Sequence, residues 1–142
     1  MLPAECSCTT KRTCGCVSGS IFVITGISSK EGGIMTINFN ELSEIALQHM
    51  NNGDGTIFAK MMMTPENKIM IRRIPAGCSI GRHILSKSSE TNYVISGEGK
   101  HICDGVEESF FTGMCVFCPK DSSQTITNIG NDDLILFTMT KE

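Results

Sequence analysis

Turn-forming residues recur about every ten positions beyond residue 64 of this chain. Clusters of Pro, Gly, Asn, Asp and Ser lie at 65–67, 75–77, 96–99, 104–105, 112–113, 119–121 and 128–132. The segments between them are short and none is rich in helix-forming residues, which is typical of β-strands. This regularity predicts an all-β sandwich or barrel. The predicted strands are 56–63, 68–74, 80–87, 90–96, 100–103, 108–111, 115–118, 123–128 and 134–140.

The beginning of the chain has a different character. Its four cysteines are Cys6, Cys8, Cys14 and Cys16. Cysteines spaced in this way either chelate a soft ion such as Zn²⁺ or Cu⁺, or belong to an unstructured or strand-paired extension. We therefore predict a Cys-rich N-terminal extension, residues 1–34, followed by a β-domain, residues 35–142; whether the extension belongs to the native product stays open.

Local patterns around this boundary predict several small elements. They are a β-prone run at 21–25, a loop at 28–33 and a first strand at 35–39. Asn40 is a helix-capping residue type, and the apolar residues that follow it lie at helical spacing, which predicts one short helix or helical turn before the turn cluster 51–55. Those apolar residues are Leu42, Ile45 and Ala46.

Composition argues against several classes of protein. The formal net charge is −3 and the basic residues are scattered, so no basic stripe could neutralise several phosphates and we expect no nucleic-acid partner. No apolar run approaches the roughly 18 residues that cross a bilayer, and no stretch resembles a secretory signal. We therefore expect a soluble cytoplasmic protein with no membrane partner. Its eight cysteines are then expected to be reduced, buried thiols, with disulfides as the alternative.

Two groups of residues carry the functional argument. In the first, Gly77, His83, Glu90 and Gly97 fit the pattern glycine, five residues, His-x-His, three or four residues, Glu, six residues, glycine. Leu85 stands at the position of the second histidine. A leucine has no donor atom for a metal, so this position cannot contribute to a metal site.

The second group follows about 15 residues later. Gly113, Pro119 and Asn128 fit the pattern glycine, five residues, Pro-x-Gly, two residues, His, three residues, Asn. Asp121 stands in place of the second glycine and Gln124 in place of the histidine. Together the two groups resemble the paired motifs of the cupin family, and in particular those of the small single-domain cupins.

The resemblance implies a fold, an assembly and a cofactor. The fold is a double-stranded β-helix, or jelly-roll barrel, with a short helical turn near its start. Proteins of this kind usually form homodimers and hold a divalent metal inside the barrel.

The metal ligands that this implies are His83, Glu90 and Gln124. Residues two apart on a strand share a face, so His83 and position 85 point the same way, while Glu90 and Gln124 come from other strands. An amide oxygen is a poorer donor than imidazole toward Fe, Zn, Cu or Ni. Two interpretations stay open: a partial site that holds Fe, Mn, Zn or Ni, or residual side chains that hydrogen bond to their surroundings and hold no metal.

Further polar residues are candidates for a ligand-binding site. Asn92 and Ser96 share the face of Glu90 by parity. One of the adjacent Arg72 and Arg73 is expected to face the interior; we assign Arg73 to the site, where it would bind a carboxylate or phosphate, the alternative being that it reaches solvent. The predicted ligand site comprises His83, Glu90, Asn92, Ser96, Gln124 and Arg73.

Cys115 and Cys118 form a C-x-x-C pair, which elsewhere indicates redox chemistry or zinc binding. Here the pair falls within a predicted strand. Residues three apart on a strand face opposite sides, so we predict two buried structural thiols rather than a joint site.

These observations favour a cupin that binds a small molecule of unspecified identity in its barrel, with a partial metal site. The alternative is a metal-dependent cupin enzyme of the dioxygenase or sugar isomerase type that uses His83, Glu90 and Gln124. A barrel with a purely structural role is the third option. The residues specify neither the ligand nor a reaction.

Overall fold

The computed structural model describes residues 27–29, 33 and 35–142. The predicted cysteine cluster and the β-prone run 21–25 lie outside these residues. The described part is almost entirely β-structure, with one 3₁₀ turn at Met50–Asn52. The strands are β1 Ile27–Ser29, β2 Met35–Ile37, β3 Ile45–Gln48, β4 Thr56–Met63, β5 Asn67–Ile74, β6 Ser79–Ile84, β7 Ser89–Ser96, β8 Glu98–Cys103, β9 Val106–Phe111, β10 Cys115–Cys118, β11 Ser123–Asn128 and β12 Leu134–Lys141.

Two antiparallel sheets form the jelly roll. The larger sheet has the strand order β10-β7-β12-β5-β4-β3 and the smaller sheet the order β6-β11-β8-β9, while β1 and β2 make a separate pair. Some neighbouring strands are distant in sequence, as β12 shows by pairing with both β5 and β7. In residues 27–29, 33 and 35–142, no helix has the length and apolar character needed to span a lipid bilayer.

The strand pattern predicted from the turn signals is confirmed. The strands β4, β10 and β11 have the predicted bounds, and the others differ at their ends. The largest difference is in β6, which ends at Ile84 rather than at residue 87. There the chain leaves the sheet, and the backbone of Leu85 exchanges hydrogen bonds with Asp121 and Ser122.

The region before β4 differs from the prediction. The predicted helix after Asn40 is wrong, because residues Ile45–Gln48 form β3 and pair with Thr56–Ala59 of β4. Three residues at helical spacing are a weak signal, and a full set of ladder hydrogen bonds outweighs it. The predicted loop at 28–33 is also wrong at its start, where β1 pairs with β2.

The interior of the jelly roll has an apolar end and a polar end, as the order of residues along β7 and β12 shows. On β7 the buried residues run from Glu90 and Asn92 to Val94. The antiparallel register sets Leu136 of β12 opposite Val94, and Thr138 opposite Asn92. The apolar end is the hydrophobic core, formed by Ile57, Ile74, Ile80, Val94, Phe110, Ile126, Leu134 and Leu136.

One edge of the smaller sheet is β9, which pairs with β8 alone. Its middle residues Glu107 and Glu108 are exposed, whereas Phe110 is fully buried in the core. A single inward aromatic residue therefore anchors this edge, and the other side chains of β9 face solvent.

Candidate functional site

A buried ion pair lies at the polar end of the barrel. Arg72 of β5 donates from Nη1 and Nη2 to the two carboxylate oxygens of Glu90 at 2.9 and 3.3 Å. The two residues are 4% and 2% exposed, so solvent screens their attraction little. Burial alone would raise the pKa of Glu90, but the charge of Arg72 and the hydrogen bonds to the carboxylate outweigh it and lower the pKa. Glu90 is therefore ionised at neutral pH.

Two amide side chains complete the shell around this carboxylate. Gln124 of β11 and Asn92 of β7 both donate to Glu90 Oε1, at 2.7 and 3.0 Å. Thr138 of β12 in turn donates to the Asn92 amide oxygen at 2.7 Å. These bonds fix the orientation of both amides, because only the nitrogen of each amide can donate to a carboxylate.

His83 connects this network to the surface. It is half-buried, its Nδ1 lies 2.9 Å from the carbonyl oxygen of Gly81, and its Nε2 lies 3.2 Å from Gln124 Nε2. The carbonyl of Gly81 can only accept, and the amide nitrogen of Gln124 can only donate. The hydrogen bonds thus assign the proton to Nδ1 and leave Nε2 of His83 as an acceptor.

A second histidine lies on the other side of Gln124. His101 of β8 is buried, and its Nε2 lies 3.2 Å from the amide oxygen of Gln124 and 3.5 Å from Cys118 Sγ. The amide oxygen requires a donor, so Nε2 of His101 carries the proton. Gln124 therefore bridges two histidines, since it donates a hydrogen bond to His83 and accepts one from His101.

The structure brings together four of the six predicted ligand-site residues. His83, Glu90, Asn92 and Gln124 all belong to the hydrogen-bonded network. Ser96 is exposed and lies beside the register shift between β7 and β12, where the alternation of faces that predicted its position is interrupted.

Arg73 lies on the opposite face of β5 from Arg72, so its predicted place in the site is wrong. Its guanidinium pairs with Glu44 at 2.7 Å and with Asp133 at 3.4 Å, and it stacks on the Phe58 ring at 4.1 Å. Both faces of β5 carry apolar residues, so the pattern along the strand does not distinguish the inward arginine from the outward one.

The predicted ligand site does not include Arg72, His101 or Thr138, although Arg72 was one of the two arginines considered for the inward position. The only signal for His101 is that it shares strand parity with Cys103 and Gly99. Thr138 resembles any strand threonine in the sequence. Its role follows from the register that sets it opposite Asn92.

The prediction for Cys115 and Cys118 is correct for one of them. The two side chains face opposite sides of β10, as expected, and Cys118 is fully buried. Cys115 is exposed on the outer face, so the prediction of a buried thiol is wrong there.

The donor set does not fit a divalent metal. Both oxygens of Glu90 accept hydrogen bonds from Arg72, and Gln124 presents its amide nitrogen, not its oxygen, toward His83 and Glu90. Leu85 offers no donor. Over the described residues, no group of three or more His, Cys, Asp or Glu side chains is arranged to hold a metal ion. The permanently charged guanidinium supplies the positive charge that a metal would bring.

One buried polar atom at this end has no protein partner. In the part of the chain that the structure describes, this is the hydroxyl oxygen of Thr140, which lies opposite Glu90 in the β12–β7 register. A buried hydroxyl without a hydrogen-bond partner carries a desolvation cost. Two surface depressions, of about 400 and 390 Å³, lie elsewhere, one beside Gly97 and Asp132 and the other beside Arg82 and Asp104.

Known structures share this architecture. A predicted oxalate decarboxylase from Thermotoga maritima has 22% identity and a TM-score of 0.72, over 75% of this chain and 98% of that one. The EutQ protein of Clostridium difficile has 20% identity and a TM-score of 0.64, over 84% and 88%. KdgF from a Halomonas species has 16% identity and a TM-score of 0.55, over 61% and 79%. Similarity at these identities shows the fold and not the activity.

The family follows from a sequence comparison. No curated protein matches the chain. A family model described as Cupin domain matches residues 70–140, which are half of the chain and include every residue of the hydrogen-bonded network. Both motifs and the cluster of His83, Glu90 and Gln124 lie within this match, and the chain belongs to the Cupin domain family.

Proposed function

We propose that this cupin binds a small polar molecule at the polar end of its barrel, without a metal ion. The observation that carries the proposal is the chain of hydrogen bonds from the half-exposed His83 through Gln124 to the buried Arg72 and Glu90. Such a chain gives a bound molecule both an accessible acceptor and a rigid polar base. We assign no reaction to the site.

The chemistry of the network supports a particular kind of ligand. Arg72 is neutralised by Glu90, so the site offers no excess positive charge to a multiply charged anion. The outermost contact, between His83 and Gln124, is long at 3.2 Å and is the one that a ligand could replace at least cost. A donor group of the ligand would bind Nε2 of His83, and an acceptor would take the amide hydrogen of Gln124. The hydroxyl groups of a sugar or a hydroxy acid meet both requirements.

Titration with small probes tests this function. D-glucose, D-glucuronate, oxalate and acetate would each be added to isotopically labelled full-length protein, and the backbone amide resonances recorded. We expect at least one hydroxylated probe to shift the amides of His83, Cys103 and Gln124 and to leave those of the outward-facing Ile71 and Phe137 unchanged. The shifts should disappear in His83→Ala.

The matched control is His49→Ala. His49 lies outside the network and contacts the carbonyl oxygen of Gly53, so its loss should leave the titration unchanged. Absence of shifts with all four probes, or shifts that persist in His83→Ala, would refute the proposed binding site.

We also propose a homodimer formed through the outer face of the larger sheet. What supports it is a set of exposed apolar side chains on neighbouring strands, namely Tyr93, Phe117 and Met139 at 43%, 62% and 39% exposure. A two-fold axis would bring each residue into contact twice, so Phe117→Lys should weaken association about tenfold or more. Sedimentation equilibrium measures this, with Phe111→Lys on β9 as the control. A wild-type chain that sediments as a monomer would contradict the homodimer.

A further inference from the structure

Two thiols approach each other closely between the two sheets. Cys118 ends β10, an edge strand of the larger sheet, and Cys103 ends β8 in the smaller sheet. The thiol of Cys118 donates to the sulfur of Cys103 at an Sγ–Sγ distance of 3.0 Å. Cys118 is fully buried, whereas Cys103 is partly exposed. One sulfur is thus accessible to a small oxidant, and its neighbour is held against it in the interior.

We propose that Cys103 and Cys118 are a reversible oxidation site that reacts with hydroperoxides and closes to a disulfide between the two sheets. A disulfide requires an S–S distance of about 2 Å, so the sulfurs need to move together by about 1 Å. Cys103 is the last residue of β8 and Cys118 is the last of β10, and the ends of strands can accommodate such a movement.

The geometry gives the two sulfurs different roles in the reaction. Cys103 Sγ attacks one peroxide oxygen, the O–O bond breaks, and water or an alcohol leaves, which makes Cys103 a sulfenic acid. Cys118 Sγ then attacks the Cys103 sulfur, and the hydroxyl group departs as water with the proton of Cys118. The two thiols together lose two electrons and two protons, and the peroxide is reduced to two waters, or to water and an alcohol.

The surroundings of Cys118 agree with this order. Burial, followed by the neighbouring Cys103, raises the pKa of the Cys118 thiol to about 12, so it stays protonated and is protected from direct oxidation. Nε2 of His101 carries a proton and lies 3.5 Å from Cys118 Sγ, where it would stabilise negative charge on this sulfur as its proton leaves, before the sulfur moves toward Cys103.

His101 also links the thiol pair to the polar network. Its Nε2–H is shared between Cys118 Sγ and the amide oxygen of Gln124. When Cys118 moves toward Cys103, its contact with His101 lengthens and the proton is left to Gln124 alone. Oxidation therefore changes the hydrogen bonding of the residue that joins His83 to Glu90. The chemistry of the thiols is independent of whether a ligand binds there.

Peroxide treatment followed by peptide mapping tests the site. Full-length protein treated with hydrogen peroxide should yield a linked peptide pair containing Cys103 and Cys118, which dithiothreitol separates. The link closes a loop of sequence separation 15 and joins two sheets, so we expect Tm to rise by about 5–10 °C on oxidation. Cys103→Ser should abolish the rise, and Cys115→Ser, which removes the exposed thiol of the same strand, should leave it intact.

Specific outcomes would overturn the proposal. These are Cys103 recovered as sulfinic acid without a link, Cys103 or Cys118 linked to any other cysteine instead, or the same rise in Tm in Cys103→Ser. Cys103 is partly exposed, so its serine variant is expected to fold, and the test does not depend on a substitution at the buried Cys118.

Discussion

Replacing Arg72 with methionine is expected to lower the free energy of unfolding by about 3–5 kcal/mol. The substitution leaves the carboxylate of Glu90 buried, with two amide donors but no cation. A buried charge without its partner is among the most destabilising features that one mutation can create. Urea unfolding of the full chain at neutral pH measures the change.

Arg73→Met is the matched control. Arg73 adjoins Arg72 in sequence and also makes an ion pair, but its side chain is 31% exposed and that of its partner Glu44 is 35% exposed. Solvent screens an exposed pair, so we expect a change of no more than about 1 kcal/mol. An equal decrease in the free energy of unfolding for Arg72→Met and Arg73→Met would show that burial of the Arg72–Glu90 pair does not add to the effect of losing its cation.

The double variant Arg72→Met/Glu90→Gln identifies the cause of the effect. A glutamine keeps an oxygen that accepts from Asn92 and Gln124 but carries no charge. If the unpaired charge is responsible, the double variant should be more stable than Arg72→Met alone. A double variant as unstable as the single one would instead indicate lost packing of the arginine.

Removing Arg72 is also expected to turn the site into a metal centre once the missing histidines are supplied. Leu85→His and Gln124→His would restore the two donors that the family motifs contain and this chain lacks. With Arg72 present, an incoming cation meets the guanidinium at close range, and at about 4 Å each unit of charge costs about 4 kcal/mol for an effective dielectric constant of about 20. Adding Arg72→Met removes this repulsion and frees the oxygens of Glu90.

We therefore expect the triple variant Leu85→His/Gln124→His/Arg72→Met to bind Ni²⁺ about a hundredfold or more tightly than the double variant that retains Arg72. Isothermal titration with nickel chloride measures both affinities. The control is a triple variant that carries Arg73→Met in place of Arg72→Met. Its nickel affinity should equal that of the double variant. Equal nickel affinity with and without Arg72 would show that the guanidinium does not oppose metal binding.

Much of the fold was predictable because backbone geometry limits which residues can form its turns. The motif glycines Gly77, Gly97 and Gly113 have φ of 76°, 89° and 92°, a conformation that glycine adopts without strain. Asp121, which replaces a family glycine, keeps a φ of 69°. Aspartate tolerates this region better than most residues, so the turn survives the substitution.

The site was predictable only in part. The resemblance to the cupin motifs implied that His83, Glu90 and Gln124 lie together, and alternation of side chains along one strand added Asn92 to the face of Glu90. Alternation along one strand could not reveal that Arg72 occupies the space near Glu90. Which of the two adjacent arginines faces inward depends on how the sheets face each other, and so does the distance that a long side chain spans. The wrong prediction of a helix where β3 lies has a similar origin, since local spacing does not reveal that β3 pairs with β4.

The acidic edge of the smaller sheet bears on how the chain avoids self-assembly into fibrils. An outermost strand has unpaired backbone groups that can recruit the same strand of another copy. On β9 such recruitment would bring the Glu107 and Glu108 side chains of two molecules close to one another, and like charges on facing strands repel. The same strand holds its core anchor Phe110 inward, so sheet closure is favoured inside one molecule and discouraged between molecules.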